Sequence, residues 1–422
     1  MKKKIIVLLI GALMVSSLTA CGGSKDNNRQ SGDKVTLRVA TWREQDKQYY
    51  EEIEKRFEEK YDWIDVQLEF NSDEVSYEKN IQTDLVTQEA ADVLDMHAGD
   101  NMQMYGEYGL VVDQSDMEWV KNCDEAALNV CTYDNKTYAF PNNYNYFGFI
   151  YNKSIFEKVG VEIPYTPEEL VAAVKKLKDA GYGGIIYSGV TNGTNMMRAC
   201  LTSSMGTENY NKLIVGMDDG SVTDVTSVAG FEEGVKTVEY YTQNDIWYTA
   251  YKATSYEPAL SLFAQEKSAI MYVGSYLFGE RDNFIPDMDA GFFAIPTYAD
   301  NQMSYAEPGQ CTLINANSEH IDEAKLWVEF LATPEISEYY CTNAKMFSTI
   351  KGVEPTFEEA DMLLKSAKGV QFSKGSYLHN AEWWQTEWNN LLEGVFWDGK
   401  DAKPFIDALN AQLKKADIAN SK

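Results

Sequence analysis

Histidine is scarce: the 422 residues hold only His97, His320 and His379, and none stands near another His or Cys at zinc-holding spacing. A catalytic triad would have to draw on one of those three. Positive charge is also short, with 37 Lys and Arg against 65 Asp and Glu and a formal net charge of −28. Such a surface repels nucleic acid and anionic headgroups, so neither is an expected partner. There is no G-x-x-x-x-G-K-[ST] phosphate loop, no G-x-S-x-G nucleophile elbow and no C-x-x-C pair. Gly181-Tyr182-Gly183-Gly184 is glycine-rich, but it follows a helical pattern and precedes a strand, the reverse of a dinucleotide fingerprint. Asp218, Asp219 and Asp224 lack the alternation of a calcium loop. The sequence thus calls for no cofactor and no metal. One catalytic class stays open, a cell-surface glycoside-acting enzyme, because so many carboxylates always offer a candidate pair.

Long apolar runs are absent but for one. Ile5 to Ala20 follows Lys2, Lys3 and Lys4 and ends at Leu18-Thr19-Ala20-Cys21. Basic, apolar, then small is the order of a secretory signal, and the run is short for a bilayer span. Leu18 to Cys21 resembles the lipobox of bacterial lipoproteins. The resemblance implies removal of the signal peptide, residues 1–20, and acylation of Cys21, as with palmitate, on the extracytoplasmic face of the cell membrane. Residues 21–33 then read as the lipidated Cys and a flexible tether, which suits a Gram-positive surface. The five cysteines that remain, Cys123, Cys131, Cys200, Cys311 and Cys341, are odd in number and irregular in spacing. That pattern argues against a disulfide framework and leaves a single bridge open.

Ordered patterning starts at Val35. Val35, Leu37 and Val39 alternate as a strand, Tyr49, Ile53 and Phe57 follow at helical spacing, and Val66, Leu68 and Phe70 alternate again. Strand, helix, strand predicts a βαβ unit with a parallel sheet, and ADVLDMH supplies a third strand. A second α/β unit begins near residue 146 with FPNNYNYFGFIYNK. In YTPEELVAAVKKLKDAGYGG, Thr166 is the expected N-cap, Pro167 the first helical residue and Glu169 the partner in a capping box. Leu170, Val171, Val174 and Leu177 form its buried stripe. EKSAIMYVGSY and DAGFFAIP read as strands, and DEAKLWVEFLATPE as a helix with Ala324, Trp327, Val328 and Leu331 inward. The last third is mainly helical. Two blocks of alternating strands and helices predict two α/β lobes.

Several segments in order resemble the bacterial extracellular solute-binding proteins of the carbohydrate family, the group containing maltose-binding protein. They are IYNKSIFEKVGVEIPYTPEELVAAVKKLK, ALSLFAQEKSAIMYVGSY, GFFAIP and EAKLWVEFLATPE. The resemblance implies an α/β, two-lobed, periplasmic-binding-protein-like fold (type II), each lobe a mostly parallel sheet flanked by helices, with a hinge between lobes. Lobe 1 is expected over 34–144 plus 306–350, and lobe 2 over 146–305 plus 351–420. The implied function is capture of a sugar or oligosaccharide in an interlobe cleft and delivery to the transmembrane subunits of an ABC permease, by a protein that is a monomer and not an enzyme.

The ligand candidates lie just after the proposed strands, where open α/β sheets place their crevice. After the first strand they are Glu44, Asp46 and Lys47, and after the third Asp100 and Asn101. A carboxylate can accept from two vicinal hydroxyls, and a lysine can donate to the same face. At the first crossing between lobes they are Tyr144, Asn145 and Tyr146. Ser275 and Tyr276 occupy a place where the family usually has Gly-x-Trp, so Tyr276 would offer a smaller platform to a sugar ring. Glu307 and Gly309 fall at the expected second crossing, and Trp383 where the family has a late aromatic ligand. The acidic members of this set leave a polyamine or peptide ligand on the same fold as an alternative.

Overall fold

In the computed structural model the described residues are 34–71, 74–98, 100–189, 195–249, 253–279, 285, 288–298, 304–354, 356–366, 370–372, 388–397 and 400–415. Cys21 and Trp383 lie outside them. The first strand, β1 (Val35–Thr41), runs into a single turn over Glu44–Asp46 and then helix α1 (Lys47–Lys60). Strand β2 (Ile64–Phe70) pairs parallel with β1 over its whole length, from Val35 opposite Ile64 to Thr41 opposite Phe70. Helix α2 (Glu74–Thr87) leads to β3 (Val93–Met96), parallel to β1 on its other side. This is the βαβ order read from the sequence. Leu37 and Val39 are fully buried, whereas Leu68 and Phe70 are only half-buried because β2 is the sheet edge.

Strands β4 (Phe140–Pro141) and β5 (Asn143–Asn152) follow one another with Asn142 alone between them. β4 belongs to the first sheet and β5 is the central strand of the second. Helix α3 (Pro167–Asp179) has the expected capping box. Thr166 Oγ1 accepts from the Glu169 amide at 3.2 Å, and Glu169 Oε2 accepts from the Thr166 amide at 3.2 Å. Leu170, Val174 and Leu177 are buried as read, with Ala173 in place of the half-buried Val171. Then come β6 (Ile186–Tyr187), α4 (Asn195–Asp218), α5 (Phe231–Gln243), β7 (Ile270–Gly274), β8 (Ala290–Phe293) and β9 (Ser304–Pro308). The chain returns to the first sheet in β10 (Cys311–Ile314), continues through α6 (Ile321–Leu331) and α7 (Pro334–Ala344), and reaches β11 (Phe347–Ser348). Helix α8 (Glu358–Ser366), β12 (Val370–Phe372) and α9 (Ala402–Lys415) complete the labelled elements.

The first sheet has the order β2-β1-β3-β10-β4 and the second β12-β9-β5-β7-β6, with β8 and β11 also on β5. In the second sheet β5 runs against β7, β8, β9 and β11, while β6 parallels β7 and β12 parallels β9. Every strand there but β5 therefore shares one direction.

The chain passes between the sheets at Asn142 and again at Gly309–Gln310. These points lie a few residues from the expected boundaries, because Tyr144 and Pro308 are already paired inside the second sheet. The two passages are stitched together: the Asn142 amide donates to Gln310 at 2.8 Å and the Gly309 amide to Asn143 at 3.0 Å. A third passage follows β11, which lies on Asn143 and Tyr144 before Ile350 bridges to Cys123.

Apolar packing follows the same plan. Phe57, Trp327 and Val328 pack on Leu37 and Val39, and that core continues through Tyr144, Tyr146 and Phe347 to Ile150, Met271 and Leu260 in the second lobe. The opposite face of the second sheet carries Phe147, Phe149 and Tyr272 against Leu170, Val174, Val235, Val238 and Phe405. Each such fully buried side chain contributes about 1.5–3 kcal/mol. All five described cysteines are buried free thiols, and burial pushes those of Cys123, Cys200, Cys311 and Cys341 up. No helix among the described residues is long and apolar enough to cross a membrane.

Two substitutions test this account. Thr166→Ala removes one half of the capping box and should cost about 0.5–2 kcal/mol in urea unfolding. A Cβ on Gly309 would come within 2.7 Å of Asn143 Oδ1 and 2.3 Å of Asn145 Nδ2. Gly309→Ala should therefore cost about 1–3 kcal/mol by overpacking the crossing, and an unchanged unfolding midpoint would contradict the packing described.

Candidate ligand-binding site

On the first lobe, the carboxyl ends of β1 and β3 bring Trp42 and His97 together. Their rings stack with centroids 4.8 Å apart and planes at 28°. His97 is fixed in turn by Glu78: its backbone amide donates to Oε1 at 3.0 Å and its Nδ1 lies 3.0 Å from the same oxygen. Burial would push the Glu78 carboxyl up, but the hydrogen bond and charge of His97 outweigh it and hold the group below its ordinary value. The adjoining turn carries three of the candidates. Glu44 is exposed at its rim, and Lys47 is exposed with Glu51 at 3.8 Å and the Phe70 ring 5.7 Å away. Asp46 points inward. It is only 2% exposed, receives Arg43 Nε at 2.7 Å, and has the Tyr340 hydroxyl at 3.0 Å. Asp100 and Asn101 open the helix Asp100–Glu107, and their side chains lie outside what is described.

On the second lobe the candidates converge, because one strand places them. Alternation along β5 puts Tyr144 and Tyr146 on the face shared with Phe347, with Tyr146 4.0 Å from that ring. Burial and then the charge of Asp124 push both hydroxyls up. Asn143 and Asn145 turn the other way and lie over Gly309, whose missing side chain makes the room. Asn143 is fully buried, yet neither its amide oxygen nor its amide nitrogen has a protein partner, and the Asn145 carbonyl oxygen is in the same position. Backbone pairing sets Glu307 opposite Asn145. Ser275 is tied to the same strand: its Oγ accepts from the Tyr146 amide at 3.1 Å and its own amide donates to Tyr146 at 2.8 Å. Tyr276 is half-buried with its ring folded over Gly274, edge-on to Phe147 at 6.4 Å and to Tyr256 at 5.9 Å.

Glu307 is not an isolated carboxylate. The Tyr305 hydroxyl donates to it at 2.5 Å, and Arg198 of α4 lies within the influence of both. Burial pulls the Arg198 guanidinium down, but Tyr305, Tyr210 and Glu307 together push it up, so it stays charged. Sequence reading missed Arg198 and Asn143. A lone cation inside the apolar run NMMRAC was the available signal for the first. Nothing in the sequence distinguishes Asn143 from its neighbour Asn142, whose Oδ1 is bonded to Thr312 at 3.0 Å.

Three carboxylates at these strand ends thus have partners, Asp46 in Arg43, Glu78 in His97 and Glu307 in the Tyr305 hydroxyl, while Glu44 is exposed. What remains is neutral amides, an aromatic ring and exposed rim charges, beside a hinge. Among the described residues no group of three or more His, Cys, Asp or Glu is placed to hold a metal.

Comparison with known proteins agrees with this architecture. The family model for bacterial extracellular solute-binding protein matches residues 40–338. The chain is 24% identical over 425 residues to a multiple sugar-binding protein of Streptococcus mutans, covering 99% of each. Its fold is similar to the apo form of RafE from Streptococcus pneumoniae, with a TM-score of 0.72 at 20% identity over 93% of this chain and 100% of that one. RafE in complex with raffinose gives 0.70 at 20% identity over 92% and 100%. The two lobes, the hinge crossings and this match across most of the ordered chain place the protein in the bacterial extracellular solute-binding protein family, whose members bind solutes and are not enzymes.

Proposed function

We propose that this chain captures an uncharged sugar or oligosaccharide between its lobes and delivers it to the permease of an ABC importer. The observation that carries the reading is the charge balance of the site. A cationic ligand such as a polyamine needs several open carboxylates, and here Asp46 is held by Arg43 and Glu307 takes the Tyr305 hydroxyl, which leaves Glu44 alone open on the rim among the described candidates. The neutral amides of Asn143 and Asn145 each supply a donor and an acceptor, the pair that vicinal hydroxyls require. Tyr276 adds an aromatic edge for the C–H face of a sugar ring. The names of the similar proteins, multiple sugar-binding protein and RafE with raffinose, point the same way. On this reading the lobes are 34–142 with 310–350 and 143–309 with the segment after 350. Glu44, Lys47, Asn143, Asn145 and Tyr276 face the ligand, while Asp46 orders the turn that presents the first two. Asp100, Asn101 and Trp383 remain proposed contacts from the family pattern.

A thermal-shift screen of the mature chain against monosaccharides, raffinose and longer oligosaccharides tests the assignment. A ligand bound only by the native state adds about 2.7 kcal/mol at a hundredfold excess over Kd, so one carbohydrate should raise Tm and Tyr276→Ala should remove most of that rise. A shift with spermidine or a peptide, and none with any carbohydrate, would overturn it. We also propose that Cys21 is lipidated and moors the chain outside the cell. Cys21→Ala should then move the protein from the membrane fraction to the medium, and continued membrane association of that variant would remove the anchor.

A further inference from the structure

A continuous run of buried polar side chains crosses the first lobe, and it ends on both hinge passages. Arg43 Nε donates to Asp46 Oδ2 at 2.7 Å, and Asp46 Oδ2 lies 3.0 Å from the hydroxyl of Tyr340 on α7. That hydroxyl is also 3.1 Å from Gln310 Oε1, in the second passage. Gln310 Nε2 donates to the Tyr50 hydroxyl, which donates to Asp95 Oδ2 at 2.6 Å. Thr312 Oγ1 donates to Asp95 Oδ1 at 2.6 Å and lies 3.0 Å from Asn142 Oδ1, in the first passage. Every member is less than a tenth exposed.

One hydroxyl proton faces two acceptors at two places, Thr312 and Tyr340; turning the Asn142 amide over would settle the first, whereas the second is fixed by its neighbours. The Tyr50 proton is spent on Asp95, so Tyr50 can only accept from Gln310. This orients the Gln310 amide with Nε2 on Tyr50 and Oε1 toward Tyr340. Tyr340 then faces two acceptors, Asp46 Oδ2 and Gln310 Oε1, with one proton. Burial, and after it the charge of Asp46, hold the Tyr340 hydroxyl well above its ordinary pKa, so that proton stays on the oxygen. Asp46 Oδ2 already accepts from Arg43, so the acceptor at stake is Gln310 Oε1: whenever the Tyr340 proton turns to Asp46 that oxygen is left unserved, and in a buried network that costs free energy which a small shift of either partner can relieve.

We propose that Tyr340 is a positioning residue for ligand capture: by sharing one hydroxyl proton between Asp46 and Gln310, it couples the turn Glu44–Lys47 to the second hinge passage. When the proton serves Asp46, Gln310 is free to reorient with the crossing. When a ligand-driven movement of the turn draws Asp46 away from Tyr340 and leaves it to Arg43 alone, the proton turns to Gln310 and fixes the passage. The role of the turn rests on the sugar-binding reading; the coupling itself does not.

The test uses the unliganded mature chain, with probes at the exposed Lys121→Cys and Lys175→Cys positions, one on each lobe, reporting the interlobe distance distribution. Tyr340→Phe keeps the ring, which packs edge-on to Tyr50 at 5.6 Å, and removes only the shared proton. The distribution should shift or broaden, and Gln310→Met should reproduce the change. Tyr339→Phe, on the neighbouring position of the same helix, should leave it unchanged. With raffinose as probe, the Tyr340→Phe variant should also show a threefold to tenfold change in Kd. A lowered Tm with an unaltered distance distribution in both Tyr340→Phe and Gln310→Met would make Tyr340 merely structural and overturn the proposal. Altered distributions with no binding of any sugar would overturn the sugar assignment and leave the coupling standing.

Discussion

Strand β5 has to serve two masters at its first residues. Asn143 accepts from Gly309 in one passage and pairs with Ser348 in β11, while one residue earlier the Asn142 amide donates to Gln310, just before the first sheet resumes at Cys311. Backbone groups buried at such a junction must find partners, so the passages are held within hydrogen-bonding distance of one another. The side chains of the same residues inherit their directions from strand alternation. Tyr144 and Tyr146 go into the core that continues from lobe to lobe, and Asn143 and Asn145 go over Gly309. The hinge and the candidate site are therefore one construction, and a change at Gly309 acts on both.

Charge is handled in the same economical manner. The chain carries a large excess of carboxylates, and an uncompensated one buried at the strand ends would cost several kcal/mol. Arg43 and His97 each stand beside one of them, and the Tyr305 hydroxyl donates to a third, Glu307. The result is a site whose formal charges are largely cancelled in place, while the surplus of acid stays on the surface. Neutral amides left without protein partners then become the polar groups with capacity to spare, which is the requirement for recognising hydroxyls rather than ions.

Much of this was legible in the sequence. The strand alternation at Val35–Val39, the capping box at Thr166–Glu169 and the inward stripe Ala324, Trp327, Val328 and Leu331 all rest on local periodicity, and local periodicity survives folding unchanged. The order of motifs also carried the two-lobed plan. The passages were placed a few residues off because the ends of β5 and β9 are defined by partners far away in the chain, not by their own composition.

The roles of single residues in the site were a different matter. Glu44, Asp46 and Lys47 look equivalent in sequence, each polar and just after a strand. Packing separates them, since the turn over Glu44–Asp46 leaves the first and last exposed and rotates Asp46 toward Tyr340, 294 residues later. Arg198 comes under the electrostatic influence of Glu307, likewise distant in the chain, because α4 packs on β9. The sequence by itself determined the fold class, the acidic surface and the absence of the common catalytic and metal-binding motifs, since these depend on composition and on near neighbours. Which amides lack a protein partner, where the chain crosses between lobes and what surrounds Glu78, Glu307 and Asp46 beyond its local partner Arg43 were decided by tertiary structure, because each depends on side chains that long-range packing brings within about 3 Å.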